Sequence, residues 1–533
     1  MRKSTLFCAV SLAAALASPA VAQELTIGIS AEPSALDPHY HNLGPNNAMR
    51  RHMFEALVLT DENQRLSPGL AASYEPLDDT TWEFKLREGV KFHDGSPFTA
   101  RDVVFTVCRI PTVENSPSSF TVYTKAIAGM EVKDPHTLII KTDGPYPLLP
   151  NEAASWGILS ATANGVTGDI GFSRDGCTGI DSYPKTEDFN SGKAAIGTGM
   201  FKFKQFTRGE KVVLERNDDY WDGTADWASV TFRPITSDGP RVAALLAGDV
   251  DLIENPPLQD LERIKSDGFE VAQGLSNRVI YLHLDHEGEP SPGITGTDKN
   301  PLKDIRVRKA LSMAINRDAI VERIMNGVAV SAGELLPQGM FGTTPGAEAE
   351  KYDPEGAKKL LAEAGYPDGF GLTIGSPNDR YINDAQVTQA VAQMLTRIGI
   401  QTQVDAVTAS TFFARRNAFE FSVYLAGWGA ATGEMSSPLR ALVATPDKAK
   451  GYGGTNAGRY SNPEMDALID QALATVDDDK REALLQQASQ VVIQDYGILP
   501  LHFEVTPWAF RKGISFVPRV DQYTLALGVK PAG

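Results

Sequence analysis

Cysteine is nearly absent from this 533-residue chain: Cys8, Cys108 and Cys177 are all it has. That excludes a disulfide-stapled scaffold and leaves no C-x-x-C pair for a redox or structural zinc centre. Positive charge is in deficit too. Lys and Arg number 50 against 67 Asp and Glu, a formal charge of −17, so a nucleic acid partner is not expected. Beyond the first 22 residues no apolar run approaches the roughly 20 residues that span a bilayer, so no direct membrane insertion is expected either. Catalytic signatures are missing: there is no G-x-S-x-G elbow, no P-loop and no H-E-x-x-H. His93-Asp94 could pair a base with an orienting carboxylate, but neighbours in a strand face opposite ways and Gly95 follows, which reads as a turn. His283, Asp285 and His286 carry metal-ligand side chains without a third ligand at a recognisable spacing. Gly197-Thr198-Gly199 and Gly451-Tyr452-Gly453-Gly454 lack the strand and helix that a phosphate loop needs and read as turns. No metal, no cofactor and no catalysis is expected.

What is present begins with an address. Arg2 and Lys3, the apolar run 6–16 and the small-residue site Ala20-Val21-Ala22 form a secretory signal peptide over residues 1–22. Cys8 sits inside the apolar run, which argues against lipid anchoring. Removal of Arg2 and Lys3 makes the exported chain two units more acidic, a property that favours solubility. In an oxidising compartment Cys108 and Cys177 either form a disulfide or remain two buried thiols.

With 533 residues, 42% hydrophobic and 22% charged, the chain exceeds what a single core supports, and two or three lobes are expected. The early part alternates as strands: Trp82, Phe84 and Leu86, then 137–141 (TLIIK) and 211–215 (KVVLE). Thr99 and Asp102 make a capping box ahead of Val103, Val104 and Val107. The later part has helical spacing: Val307, Ala310, Leu311 and Ala314 after Asp304; a helix opened by Asp353-Pro354; Val387, Val391 and Leu395 ahead of Gly399; and a helix opened by Asn462-Pro463. Residues 287–299 and 164–197 read as exposed loops. Strands and helices mix without the regular alternation of a doubly wound sheet.

Five stretches then point one way: 89–105 (GVKFHDGSPFTARDVVF), 197–221, 241–252 (RVAALLAGDVDL), 301–320 (PLKDIRVRKALSMAINRDAI) and 352–369. In this order they resemble the family 5 extracellular solute-binding proteins, the peptide, dipeptide and nickel binders of ABC importers. The resemblance implies a mixed α/β, periplasmic-binding-protein-like fold with two main lobes around a ligand cleft plus an inserted third lobe. The expected segments are lobe I at 23–58, 197–281 and 505–533, lobe II at 59–196 and lobe III at 282–504. It also implies a periplasmic, monomeric protein that closes on a small ligand and passes it to the importer's permease subunits.

For a short peptide, a zwitterion, the cleft must supply an anion and a cation, since an unpaired buried charge is costly. The resemblance places Arg380 on the ligand carboxylate, with Tyr381 beside it, and Trp428 and Gly429 along the cleft. Glu434 stands where dipeptide binders carry Asp for the amino terminus, and Glu32 in the first loop is a further candidate. The longer Glu434 side chain and the following Met435-Ser436-Ser437-Pro438 argue against strict dipeptide specificity. An opine, an oligosaccharide or a chelated metal are the competing ligands, and a periplasmic hydrolase is the competing class. Nickel is disfavoured because the Gly427-Trp428 region holds no histidine.

Overall fold

The computed structural model describes residues 23–532; the export segment expected at 1–22, Cys8 included, lies outside them. Two long antiparallel strands, Glu270–Leu284 and Ile498–Phe510, run through the middle of a twelve-stranded sheet and belong to both of its halves. Outward from the Ile498–Phe510 strand come Leu252–Glu254, Glu24–Ile29, Ser229–Pro234, Lys211–Arg216 and Phe201–Thr207. Outward from the Glu270–Leu284 strand come Val423–Gly429, Gly371–Pro377 and Ile294–Thr295, with Gln401–Val407 also paired to the Gly371–Pro377 strand. Between the halves the central pairing slips. Leu275 faces Val505 and Val279 faces Phe503, so Ser276, Asn277 and Arg278 bulge opposite Glu504 alone. This polar triplet is what interrupts the apolar run that continues as 279–284 (VIYLHL).

Beyond the bulge, strand alternation divides the side chains between two cores. Ile280, Leu282, Leu284, Val423 and Leu425 pack with the helices Ile305–Ala314 and Asp384–Arg397. Val279, Tyr281, Tyr424 and Ala426 pack on the other face with Pro463–Leu473 and Asp478–Gln494. The helix starts lie where the sequence puts them, since Asp304, Asp353 and Asn462 each accept a backbone N–H of the first turn.

A separate six-stranded sheet, from Ala71–Asp78 to Gly176–Thr178, is backed by the helix Ala100–Arg109. The capping box of Thr99 and Asp102 forms as expected, and the same helix holds the chain that leads back to the large sheet. Asp102 accepts from the amide of Ala161 at 2.8 Å and Thr106 from that of Leu159 at 2.9 Å. His93 lies in the expected turn, and its ring binds the backbone of Gly197 and Gly199. Residues 89–105 and 197–221 therefore meet, and they do so as scaffold.

Residues 164–197, expected as loop, instead carry the hairpin Gly171–Ser173 and Gly176–Thr178 and the helix Thr186–Asn190. Three-residue strands are too short to display an alternation. Cys177 on this hairpin forms a disulfide with Cys108 of the Ala100–Arg109 helix, resolving the two alternatives. The rings of His283 and His286 are occupied by the carbonyls of Leu442 and Gly497, and Asp285 by Arg459 and Ser291. Among the described residues no helix is long and apolar enough to cross a membrane.

Candidate functional site

Strand direction locates the cleft. The Glu24–Ile29, Ser229–Pro234 and Leu252–Glu254 strands run parallel to one another and antiparallel to Ile498–Phe510, so they share the heading of Glu270–Leu284. Their carboxyl ends thus point toward the second half of the sheet. There, Val423–Gly429 is antiparallel to Glu270–Leu284, and Gly371–Pro377 is parallel to Val423–Gly429, so both head back toward the first half. Carboxyl ends of parallel strands meet from the two sides of the bulge, the position at which open α/β sheets hold their ligands.

Arg380 and Tyr381 follow the end of Gly371–Pro377. Both of their amides donate to Asp384 Oδ2 at 3.0 Å, which anchors this loop to the first turn of the next helix. The exposed Arg380 guanidinium lies 5.2 Å from the centre of the Tyr381 ring, and among the described residues no carboxylate is within ion-pair distance of it. The Tyr381 hydroxyl donates to the carbonyl of Gly427 at 3.2 Å. A side chain at Gly427 would strike the Tyr381 ring and Ile280, so glycine is what lets the tyrosine close over the strand. Gly429, two residues on and on the same face, lies against the Arg278 guanidinium. Trp428 points to the opposite face, half-buried, with its indole N–H donating to Ser437 Oγ at 3.2 Å.

Glu434 is elsewhere. It is 1% exposed, one carboxylate oxygen is 2.5 Å from Arg481 and the other accepts from Ser436. Its loop packs on the smaller unit through Asn151 to the carbonyl of Thr432 and Gln64 to that of Ala430. Glu32 lies just past the end of Glu24–Ile29, where one oxygen accepts from the amide of Gly209 at 2.6 Å. Neither acid pairs with Arg380.

Sequence reasoning misses the polar groups gathered at the bulge. Arg278 lies 3.3 Å from Glu504, and Gln522 reaches both Arg278 and Thr506. Their one signal is the polar triplet 276–278 within an apolar strand. Asn277 donates to the carbonyl of Ala430 and to Gln64, joining the bulge to both neighbouring units.

The profile of the bacterial extracellular solute-binding proteins, family 5 Middle, matches residues 65–450. Glutathione-binding protein GsiB of Escherichia coli O1:K1 / APEC is 27% identical over 504 residues, covering 93% of this chain and 91% of its own. Among solved structures, HbpA2 from Haemophilus parasuis superposes with a TM-score of 0.79 at 25% identity, covering 96% of this chain and 100% of that one. The murein tripeptide binding protein MppA, in its unliganded open form, gives 0.77 at 25% identity over 96% and 98%. Membership implies a small-molecule ligand and an ABC importer permease as partners. The chain belongs to family 5 of the bacterial extracellular solute-binding proteins, the non-catalytic, periplasmic substrate-binding components of ABC importers.

Proposed function

We propose that this protein, acting as a monomer, captures a short peptide or peptide-like zwitterion by closing its two halves about residues 276–278 and 504–506. The lobe boundaries fall there, close to the segments 197–281, 282–504 and 505–533. The observation that carries this reading is the unpaired guanidinium of Arg380, held over Tyr381 at the carboxyl end of one set of strands. A planar fork with no internal carboxylate is suited to bidentate pairing with the carboxylate of a ligand. Tyr381 and the glycine face of Gly427 and Gly429 lie beside it, while Trp428 points to the other face of the strand.

The ligand ammonium is assigned to Glu32, which comes from the opposite wall at the carboxyl end of Glu24–Ile29 and has one oxygen uncommitted. Glu434 is assigned to shaping the 430–434 loop, because Arg481 and Ser436 already engage both of its oxygens. Closure then replaces water around both ligand charges with fixed partners, and the ligand selects the closed state. GsiB is named for binding glutathione and MppA for binding a murein tripeptide, ligands of the class proposed here.

The test is a thermal-shift screen of the ligand-stripped exported chain against di- and tripeptides, glutathione, their carboxyl-amidated forms, oligosaccharides, opines and nickel chelates. A ligand at a hundred times its Kd adds about 2.7 kcal/mol of stability. Stabilisation by free but not amidated peptides is expected. Stabilisation only by a sugar, opine or chelate overturns the peptide assignment and leaves the importer role.

A further inference from the structure

Arg50 has no explanation in the hinge-closing cleft. It lies on the helix Gly44–Met53, is 5% exposed, and has no carboxylate within ion-pair distance among the described residues. Among the described residues its Nε has no hydrogen-bond partner, and the guanidinium's one hydrogen bond is a long 3.5 Å approach of Nη2 to the carbonyl of Ala154. The strongest charge acting on it is a second guanidinium, Arg51, which pairs with Asp521 at 3.7 Å as Arg519 does at 2.7 Å. Burial pushes the Arg50 pKa down to about 10, so the group is still a cation at neutral pH. Within the chain the Phe120 ring, its centre 5.7 Å from the guanidinium carbon, also faces it; a buried cation without a carboxylate still costs several kcal/mol, which an anionic ligand would offset.

Arg50 also lines a pocket of about 320 Å³ bounded by residues of 50–62, Ala154, Met200, Tyr220 and residues of 517–528, to which no residue of 282–504 contributes. Arg51 and Arg519 lie along its wall, and Met200, Leu525 and Leu527 supply an apolar floor. The pocket's buried acid, Glu55, is already engaged by the Tyr220 hydroxyl at 2.7 Å and the Trp221 indole at 3.0 Å, and burial raises its pKa. It does not neutralise Arg50.

We propose that this pocket is a second ligand site, separate from the hinge cleft, that takes a small amphiphilic carboxylate. The carboxylate pairs with Arg50 and the short apolar body lies on Met200, Leu525 and Leu527. The volume is at the lower end of small-molecule sites and suits a chain of a few carbons.

Calorimetric titration of the exported chain tests this with hexanoate, neutral hexanamide and inorganic phosphate. Saturable binding of hexanoate, absence of hexanamide binding and weaker phosphate binding are expected. Arg50→Gln should weaken hexanoate at least tenfold and Arg50→Lys only a few-fold. Equal binding of hexanoate and hexanamide, phosphate binding as tight as hexanoate, or an Arg50→Gln variant that binds like the parent overturns the proposal. Should Arg50→Gln fail to fold, Val517→Glu reads the same question, because Val517 is exposed on the rim of the pocket. The added carboxylate should weaken hexanoate several-fold, and unchanged affinity would count against the site.

Discussion

Arg481 and Glu434 form a buried ion pair 2.5 Å apart on the second half of the sheet, with Ser436 on the carboxylate and Asp478 on the guanidinium. Removing Glu434 leaves the buried guanidinium with only the exposed Asp478, a loss of up to about 3–5 kcal/mol, whereas removing both partners can approach neutrality. Glu434→Gln should therefore lower the urea midpoint more than the double variant Glu434→Gln/Arg481→Met does. Additive losses across the double-mutant cycle would contradict the pairing.

The disulfide ties the hairpin at Cys177 to the helix at Cys108 across 69 residues of sequence. A cross-link over a loop of this length contributes about 2–4 kcal/mol. A Cys108→Ser/Cys177→Ser variant should melt lower than the oxidised parent and be insensitive to added reductant, as followed by circular dichroism. A parent whose melting does not respond to reductant would contradict the bond.

His502 is 1% exposed, neither ring nitrogen has a partner among the described residues, and burial lowers its pKa from 6.5 to about 4. The unfolded chain thus takes up a proton more readily than the folded one. The contribution of this group to stability is full above pH 6.5 and is lost as pH falls toward 4, a term of about 3 kcal/mol. His39, His52, His93, His283 and His286 are lowered in the same direction, in each case chiefly by burial. Between pH 7 and 4 the buried acids Glu152 and Glu334, both raised to about 7 chiefly by burial, act in the opposite sense, so the test is the difference: the urea midpoint of the parent should fall more, or rise less, than that of His502→Met.

Gly427 is tight against Tyr381. Gly427→Ala should leave the fold intact and displace the Tyr381 ring, weakening ligand binding about tenfold, equivalent to about 1.4 kcal/mol. Calorimetry with the ligand found in the screen checks this, and unchanged affinity would place Tyr381 outside the site.

Much of the scaffold is legible in the chain because its signals are local. Thr99 with Asp102 and Asn462 with Pro463 mark helix starts through bonds made within one turn, and Trp82, Phe84 and Leu86 mark a strand by alternation. The stretch 89–105 identifies the family while touching none of the cleft residues, since His93 and Asp102 bind backbone at 197–199 and 161. The site is less legible. Arg380 and Tyr381 fall next to Gly427 because two parallel strands end side by side, and no spacing in the sequence encodes that. Glu434 is paired by an arginine 47 residues away, and Arg278 with Glu504 meet only because two strands far apart in sequence share a bulge.

The most direct test of the account is small-angle X-ray scattering of the stripped chain with and without a free-carboxylate peptide that binds it. Hinge closure about 276–278 and 504–506 predicts a smaller radius of gyration with peptide for the parent, and none of that change for Arg380→Gln at the same peptide concentration. Binding without compaction, or equal compaction in the Arg380→Gln variant, would contradict it.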